Sequence, residues 1–88
     1  MTGVEQVAEV LARIRDPKLV LEFLKCILTP YELGEVSGRW ELVKLLDQGV
    51  SQRKISEQLG MSLCKITRGS RELKKQNSAF KRVLSEYV

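Results

Sequence analysis

Apolar residues recur at spacings of three and four along almost the whole chain, which is the period of an amphipathic α-helix. The period-two alternation typical of a half-buried β-strand is absent. The pattern therefore predicts an all-α fold of about six helices. The second helix has a broad apolar face, which we expect to be buried against more than one neighbour. The apolar positions of the first three helices are Val4, Val7, Ala8, Leu11 and Ile14; Leu19, Val20, Phe23, Leu24, Ile27 and Leu28; and Leu33, Val36, Trp40, Val43 and Leu46.

Capping residues predict where the second and third helices begin. Asp16-Pro17 combines an N-cap with a first-turn proline, and Thr29-Pro30-Tyr31-Glu32 adds a glutamate that can reach back to the cap amide. Gly49 suits a left-handed stop after the third helix. Gly34 and Gly38 are poor helix formers, but they would let another helix approach closely.

From residue 51 the pattern changes to two short helices. Ser51 can cap a helix over Gln52–Leu59, and Gly60 can end it. Ser62 can cap a second helix that begins at Leu63 and runs to about Lys75. A final amphipathic helix follows, with apolar residues Phe80, Val83, Leu84 and Tyr87.

The two short helices carry the packing pattern of a helix-turn-helix. Ile55 forms part of the inner face of the first, and Ser56 is small where two crossing helices would touch. Gly60 stands where a tight turn needs positive φ. Met61 and Ile66 would pack the second helix back onto the first, which is the logic of this motif.

The length of 88 residues and mass of 10.0 kDa predict a single domain over residues 1–88. We expect residues 1–49 to form a helical dimerisation core, 51–75 the helix-turn-helix head and 77–88 a C-terminal helix. A fold this small buries a modest share of its surface, which favours a dimer with a shared core. No apolar run approaches the roughly 20 residues that span a bilayer, and the acidic start is not a signal peptide. The expected location is cytoplasmic.

The chain has two cysteines, Cys26 and Cys64, and no histidine. A structural zinc site and a nucleophilic enzyme that needs a histidine base are therefore excluded, and we expect neither metal nor catalysis. For Cys64 the default expectation is a buried, unreactive thiol.

Charge divides the chain into two halves. Residues 1–50 carry 6 Lys and Arg against 8 Asp and Glu, whereas residues 51–88 carry 9 against 3. The second half thus has a net charge of +6, which is typical of a surface that meets a polyanion. A solvated basic helix surface is the alternative that charge alone leaves open.

The second short helix is expected to expose a polar and basic outer face to DNA. Lys74 and Lys75 suit phosphate contacts, and Thr67 and Cys64 are short enough to let the backbone approach base edges. The start of the first short helix is expected to contact the DNA backbone or a guanine edge. The predicted DNA-binding residues are Ser51, Gln52, Arg53, Leu63, Cys64, Lys65, Thr67, Ser70, Arg71, Lys74 and Lys75. A helical protein-interaction module, whose basic face would bind no duplex, remains the alternative from another class.

Several segments resemble the tryptophan-operon repressor family, with Ile66-Thr67-Arg68-Gly69-Ser70 the most specific. The others are Leu28-Thr29-Pro30, Arg39, Leu45-Leu46, Ser51-Gln52-Arg53, Leu59-Gly60 and Leu73-Lys74, so the match covers about residues 27 to 84. The resemblance implies an intertwined all-helical homodimer that represses genes of tryptophan biosynthesis or transport at a palindromic operator in double-stranded DNA. The docking geometry of such heads is that of helix-turn-helix proteins, of which the Trp repressor is itself a standard example.

The resemblance also implies a site for L-tryptophan, which acts in the family as a corepressor rather than a cofactor. Arg39 and Arg68 match the two arginines that sandwich the indole ring, and Thr29 matches the threonine beside the carboxylate. Cys26 and Leu28 match residues whose backbone carbonyls lie near the ligand amine, and Gly69 matches the close-approach glycine. A guanidinium stacks well on an indole face, and Arg68 could also neutralise a carboxylate. Without the resemblance, pairing with helix carboxylates or phosphates is the favoured explanation of both arginines.

Three departures from the family bear on this ligand. Glu72 stands in place of a small serine near the ligand amine, where it could pair with an ammonium group or narrow the pocket, and Lys65 replaces a threonine. The link before the helix-turn-helix is one residue shorter, as in a related branch whose ligand is not established. A ligand-independent or differently gated regulator is therefore a second hypothesis. Trp40 is expected in the core, but its indole could also occupy the pocket.

Overall fold

A computed structural model describes all residues, 1–88, and contains six α-helices and no strand. The prediction of an all-α fold with about six helices is confirmed. No helix is both long enough and apolar enough to cross a membrane. The helices are α1 (Gly3–Arg13), α2 (Pro17–Ile27), α3 (Pro30–Asp47), α4 (Gln52–Leu59), α5 (Leu63–Lys74) and α6 (Ala79–Tyr87).

The chain forms two compact units, Met1–Gly34 and Glu35–Val88. The first contains α1, α2 and the start of α3, and the second contains the rest of α3 and the three later helices. The single domain over 1–88, with its division into 1–49, 51–75 and 77–88, stays a prediction.

The first unit has well-formed helix ends but no buried side chain in α1 or α2. Thr2 caps α1 with a reciprocal capping box to Glu5, and the Asp16 carboxylate accepts from the Lys18 N–H at 3.0 Å. The apolar face of α2 is half exposed, with Ile27 at 50%. The expected burial of that face against several neighbours is therefore not met within one chain.

The start of α3 has the predicted capping arrangement. The Thr29 N–H donates to Glu32 Oε1 at 2.9 Å, and the Glu32 N–H donates to Thr29 Oγ1 at 3.1 Å. Two first-turn donors are thereby satisfied at once. The Thr29 backbone N–H, followed by its hydroxyl, holds the pKa of Glu32 below its ordinary value of 4.5.

The second unit has a core of its own. Leu42, Ile55 and Ile66, one from each of α3, α4 and α5, are almost fully buried. Packed around them are the partly buried side chains of Leu45, Leu46, Val50, Leu59 and Met61. This packing confirms the prediction that Ile55, Met61 and Ile66 hold the two short helices together. Gly49 has a φ of 86°, as expected for the stop after α3.

The last helix is attached to the rest of the second unit by apolar contacts and by an ion pair. Leu84 of α6 is buried, and Lys81 Nζ lies 2.7 Å from Asp47 Oδ1 at the end of α3. Ser78 caps the helix by accepting from the Lys81 N–H at 3.2 Å, after Asn77 adopts a φ of 60°. An asparagine tolerates this left-handed conformation better than most residues, which allows the sharp turn after α5.

Candidate nucleic-acid interface and adjoining cavity

The turn between α4 and α5 has the geometry that the sequence predicts. Gly60 ends α4 in the left-handed conformation, with φ 61° and ψ 33°. The Ser56 hydroxyl donates to the Met61 carbonyl oxygen at 2.8 Å and so closes the turn from the other side. Ser62 caps α5, accepting from the Lys65 N–H at 3.4 Å. These contacts fix the angle at which α5 leaves α4.

The outer face of α5 is exposed and cationic. Leu63 at its start is 58% exposed, and the thiol-bearing Cys64 beside it is also exposed. Thr67 is half-buried, and its hydroxyl donates to the Leu63 carbonyl oxygen at 2.8 Å. The exposed cations on this face and at its end are Lys65, Arg68, Arg71, Lys74 and Lys75. Together with Leu63 and Cys64 these five cations form what we call the α5 face.

Two expectations about this face are wrong. Ser70 is only 8% exposed, because its position on α5 turns it toward the protein interior rather than the outer face. Cys64 is exposed rather than buried, because it lies in the first turn of α5 on the side away from Ile66.

The start of α4 presents two exposed cations, Arg53 and Lys54. Arg53 is exposed, with only a long 3.8 Å ion pair to Glu57 one turn along the helix. Gln52 is half-buried. The hydroxyl oxygen of Ser51 accepts from the Lys54 N–H at 3.3 Å and so serves as the helix cap.

A cavity of about 340 Å³ lies beneath the inner edge of α5. It brings together four of the seven predicted ligand residues: Arg39, Arg68, Gly69 and Glu72. The other three, Cys26, Leu28 and Thr29, belong to the first unit and do not line it. The complete lining consists of Arg39, Leu42, Val43, Lys65, Arg68, Gly69, Glu72 and Phe80. A volume of about 300–1,000 Å³ is usual for small-molecule sites.

Two of the cations that line this cavity form ion pairs with one carboxylate of α3, that of Glu35. Lys65 Nζ lies 3.2 Å from Glu35 Oε1 and 3.4 Å from Oε2. Arg39 Nη2 lies 3.7 Å from Glu35 Oε2. The helix-carboxylate pairing that the sequence left open for Arg39 is thus present.

The Glu72 carboxylate is hydrogen-bonded to a lysine that does not line the cavity. Lys75 Nζ donates to Glu72 Oε1 at 2.9 Å, and this hydrogen bond is the main cause that lowers the pKa of Glu72. The positive charges of Lys75 and Arg68 lower the pKa further. Glu72 is therefore a carboxylate at neutral pH, placed beside the guanidinium of Arg68.

The apolar floor of the cavity was not anticipated from the sequence. Leu42 and Val43 follow Arg39 by three and four residues, so helical spacing could have indicated them. Phe80 comes from α6, and no local signal shows that α6 returns to this place. Gly69 is in close contact with α3, since a Cβ atom there would lie 2.9 Å from Leu42 Cδ2.

Trp40 lies beside the cavity but does not line it. The indole is half-buried, and Lys44 Nζ lies 6.0 Å from the ring centroid. The ring lines a neighbouring cavity of about 320 Å³ with Glu72, Phe80 and Val83. Its indole therefore does not occupy the space between Arg39 and Arg68.

The fold has six helices, and α4 and α5 pack on a common core around a glycine turn. With the exposed cationic face of α5, these features are typical of a helix-turn-helix transcription regulator. The model of the Trp repressor protein family matches residues 2–88, and the chain belongs to that family. Members of this family are regulators rather than enzymes, and they use tryptophan as an effector rather than a cofactor.

Relatives named as Trp operon repressor homologs support the same assignment. The chain is 30% identical to the one from Chlamydia trachomatis serovar L2 over 78 residues, 88% of this chain and 83% of that protein. It is 43% identical to the one from Actinobacillus succinogenes over 68 residues, 76% of this chain and 67% of that protein. It is 41% identical to the one from Xylella fastidiosa over 63 residues, 70% and 65% of the two chains. No solved structure is significantly similar to the chain.

Proposed function

We propose that this chain is a dimeric repressor that binds operator DNA more tightly when L-tryptophan is bound. Its targets are genes of tryptophan biosynthesis or transport. The observation that carries the proposal is the position of the α5 face, which is exposed on one side of a helix whose other side is fixed by Ile66 in the core. A helix held in this way can enter a major groove without unfolding its own support.

The α5 face supplies two kinds of DNA contact under this proposal. Lys74 and Lys75 bind phosphates as flexible point charges, and Lys65 and Arg71 add to the positive potential. Leu63, Cys64 and Thr67, in the first half of α5, approach base edges. Arg53 contacts the backbone or a guanine edge from the start of α4, with Ser51 and Gln52 beside it.

Dimerisation is supported by the apolar faces of the first unit. Leu19 and Ile27 on α2 are each about half exposed in one chain, at 49% and 50%. A second copy would cover such faces, as expected for a small domain. Two heads about 34 Å apart would then reach successive major grooves of a palindromic operator.

Tryptophan binding is supported by the cavity under α5. Arg39 and Arg68 both line it, and either guanidinium can stack on an indole face. Arg68 can in addition neutralise the ligand carboxylate. Gly69 and Glu72 complete this part of the proposed site. Cys26, Leu28 and Thr29 are proposed ligand residues on the family resemblance alone. A corepressor acts only by binding the DNA-competent head arrangement better than the incompetent one.

Fluorescence anisotropy with labelled genomic duplexes, over a range of salt concentrations and with or without tryptophan, tests the proposal. The log–log salt slope should fall by about 0.9 for each phosphate contact that K74A/K75A removes, with all sequences weakened alike. K18A/K25A removes the same charge from α2 and is the matched control. An unchanged slope in K74A/K75A would exclude phosphate contacts at these positions, and failure to bind any duplex would favour the protein-interaction module.

A differently gated regulator is the second candidate, because Glu35 already pairs with Arg39 and Lys65 at the cavity. It predicts equal operator affinity with and without tryptophan. If calorimetry shows no heat of binding at millimolar tryptophan, this candidate is favoured and tryptophan is excluded as the corepressor.

A further inference from the structure

Most ion pairs in the molecule join residues three or four positions apart on one helix. Two pairs join different helices: Lys81 with Asp47, and Lys65 with Glu35, which spans 30 residues and links α5 to α3. The latter pair is located in the first half of α5, the part that would lie deepest in a DNA groove. Its geometry therefore bears on where the α5 face points.

Glu35 is the centre of a three-residue cluster. Both of its carboxylate oxygens lie within hydrogen-bond distance of Lys65 Nζ, and Oε2 also faces the Arg39 guanidinium. The Glu35 side chain is only 23% exposed, so that this carboxylate is less screened by water than a typical surface group. One resident anion thus occupies two of the three cations that line the cavity.

The geometry points to a regulatory role for this carboxylate. We propose that Glu35 is an internal counter-anion that holds α5 against α3 when no effector is present. Operator affinity then has a component that needs no ligand, and an effector carboxylate is directed to Arg68 because Arg39 and Lys65 are already paired. This inference rests on the proposed function and specifies how the same site is regulated.

The expected size of the effect is modest. Partly exposed ion pairs change an equilibrium by about 1.5- to fivefold. Glu35→Gln preserves shape while removing the charge. The ligand-free operator affinity should fall by about that factor even though Lys65 is then released to attract phosphate, and a rise in affinity would overturn the holding role. With tryptophan bound the loss should be smaller, and the ratio of affinities with and without tryptophan should rise.

Hydrogen exchange of the α5 amides in the free protein measures the attachment independently of DNA and of tryptophan. E35Q should speed exchange in α5 by about 1.5- to fivefold relative to wild type, at low salt more than at high salt. The control is E41Q, which removes the same charge from α3 but breaks only the local pair with Lys44. K65M should have the same effect as E35Q on exchange, and the double variant should add little to either.

The outcomes separate the two levels of inference. Equal α5 exchange in E35Q and E41Q would overturn the role of Glu35 and leave the repressor proposal intact. Faster α5 exchange in E35Q with an unchanged ligand-free affinity would overturn the regulatory role. A wild-type protein that binds no duplex would instead overturn the proposed function itself.

Discussion

The two units of this chain differ in how much of their apolar surface they bury. Glu35–Val88 buries Leu42, Ile55 and Ile66 around a turn, so that the helix-turn-helix has a core within its own unit. Met1–Gly34 has equally good helix caps but no buried residue in α1 or α2. Good caps therefore define where helices begin and end, whereas burial decides whether a unit is stable alone.

This difference suggests a division of labour. The unit with its own core presents polar chemistry on the surface, in the form of the α5 face and the neighbouring cavity. The unit without a core presents apolar surface, which is what a dimer interface needs. The first three of the following predictions compare the two units, and the fourth tests a helix cap within the first unit.

The largest effect is expected where charge enters the apolar face of the first unit. Leu19→Glu would place an unpaired carboxylate in the proposed dimer interface, so the dimer should dissociate and the mass by light scattering should fall to that of one 10.0 kDa chain. Leu63→Glu makes the same substitution at a leucine of α5 that is also about half exposed, and it should leave the mass unchanged. A dimer mass for Leu19→Glu as well as for Leu63→Glu would show that α2 is not the interface.

Next in size is loss of the core of the second unit. Ile66→Ala deletes a fully buried side chain and should lower the free energy of unfolding by about 2–5 kcal/mol, measured by urea denaturation. Ile66→Val should cost only about 0.5–1.5 kcal/mol. Ile27→Ala, made in a sample dilute enough to be monomeric, should cost less than half as much as Ile66→Ala. An equal cost would mean that α2 is as well packed as α5.

Substitution of two glycines by alanine should change the stability of the protein by a smaller amount, in opposite directions. Gly60→Ala puts a Cβ on a residue with φ 61° and should destabilise the protein by about 1–2 kcal/mol. Gly34→Ala lies inside a helix with no atom within 4 Å of the added Cβ, so it should stabilise by about 0.5–1 kcal/mol. Thermal unfolding of both variants under one set of conditions checks the two signs.

The smallest effect is expected from pH. Because the pKa of Glu32 is lowered in the folded protein, its contribution to stability is complete above the unfolded value of about 4.5 and is lost as pH falls through the folded pKa. Glu32→Gln should therefore flatten the loss of stability below about pH 4.5. Glu22→Gln on α2 is the control, and an identical slope in both variants would contradict the capping role of Glu32.

Local signals accounted for the helix boundaries and for the turn. Ser62, Thr29-Pro30-Tyr31-Glu32 and Gly60 act through contacts within a few residues of themselves, and such contacts can be recognised in a sequence. The sequence predicts less well which side of a helix faces the protein interior over several turns. The polar side chain of Ser70 predicts a place on the outer face, but the residue lies next to the buried Gly69 on the side of α5 that packs inward.

The cavity was predictable only in part. Arg39 and Arg68 came from a family resemblance, and the structure brings them to one cavity together with Gly69 and Glu72. Phe80 and the pairing of Lys65 with Glu35 depend on how distant segments pack, which no spacing rule reveals. Cys26, Leu28 and Thr29 stay predictions, as do the individual DNA contacts.

The contact at Gly69 has a mechanical consequence. Because the backbone of α5 contacts the Leu42 side chain there with too little room for a methyl group, we take this contact as the pivot for any tilt of the helix. Gly69 is six residues from the first residue of α5, a lever arm of roughly 9 Å at about 1.5 Å per residue. A swivel of about 10° would carry Leu63 through roughly 1.5 Å, half a hydrogen-bond length. A bound molecule near this fulcrum therefore needs to shift the helix axis only slightly to bring the tip into or out of register with a base edge.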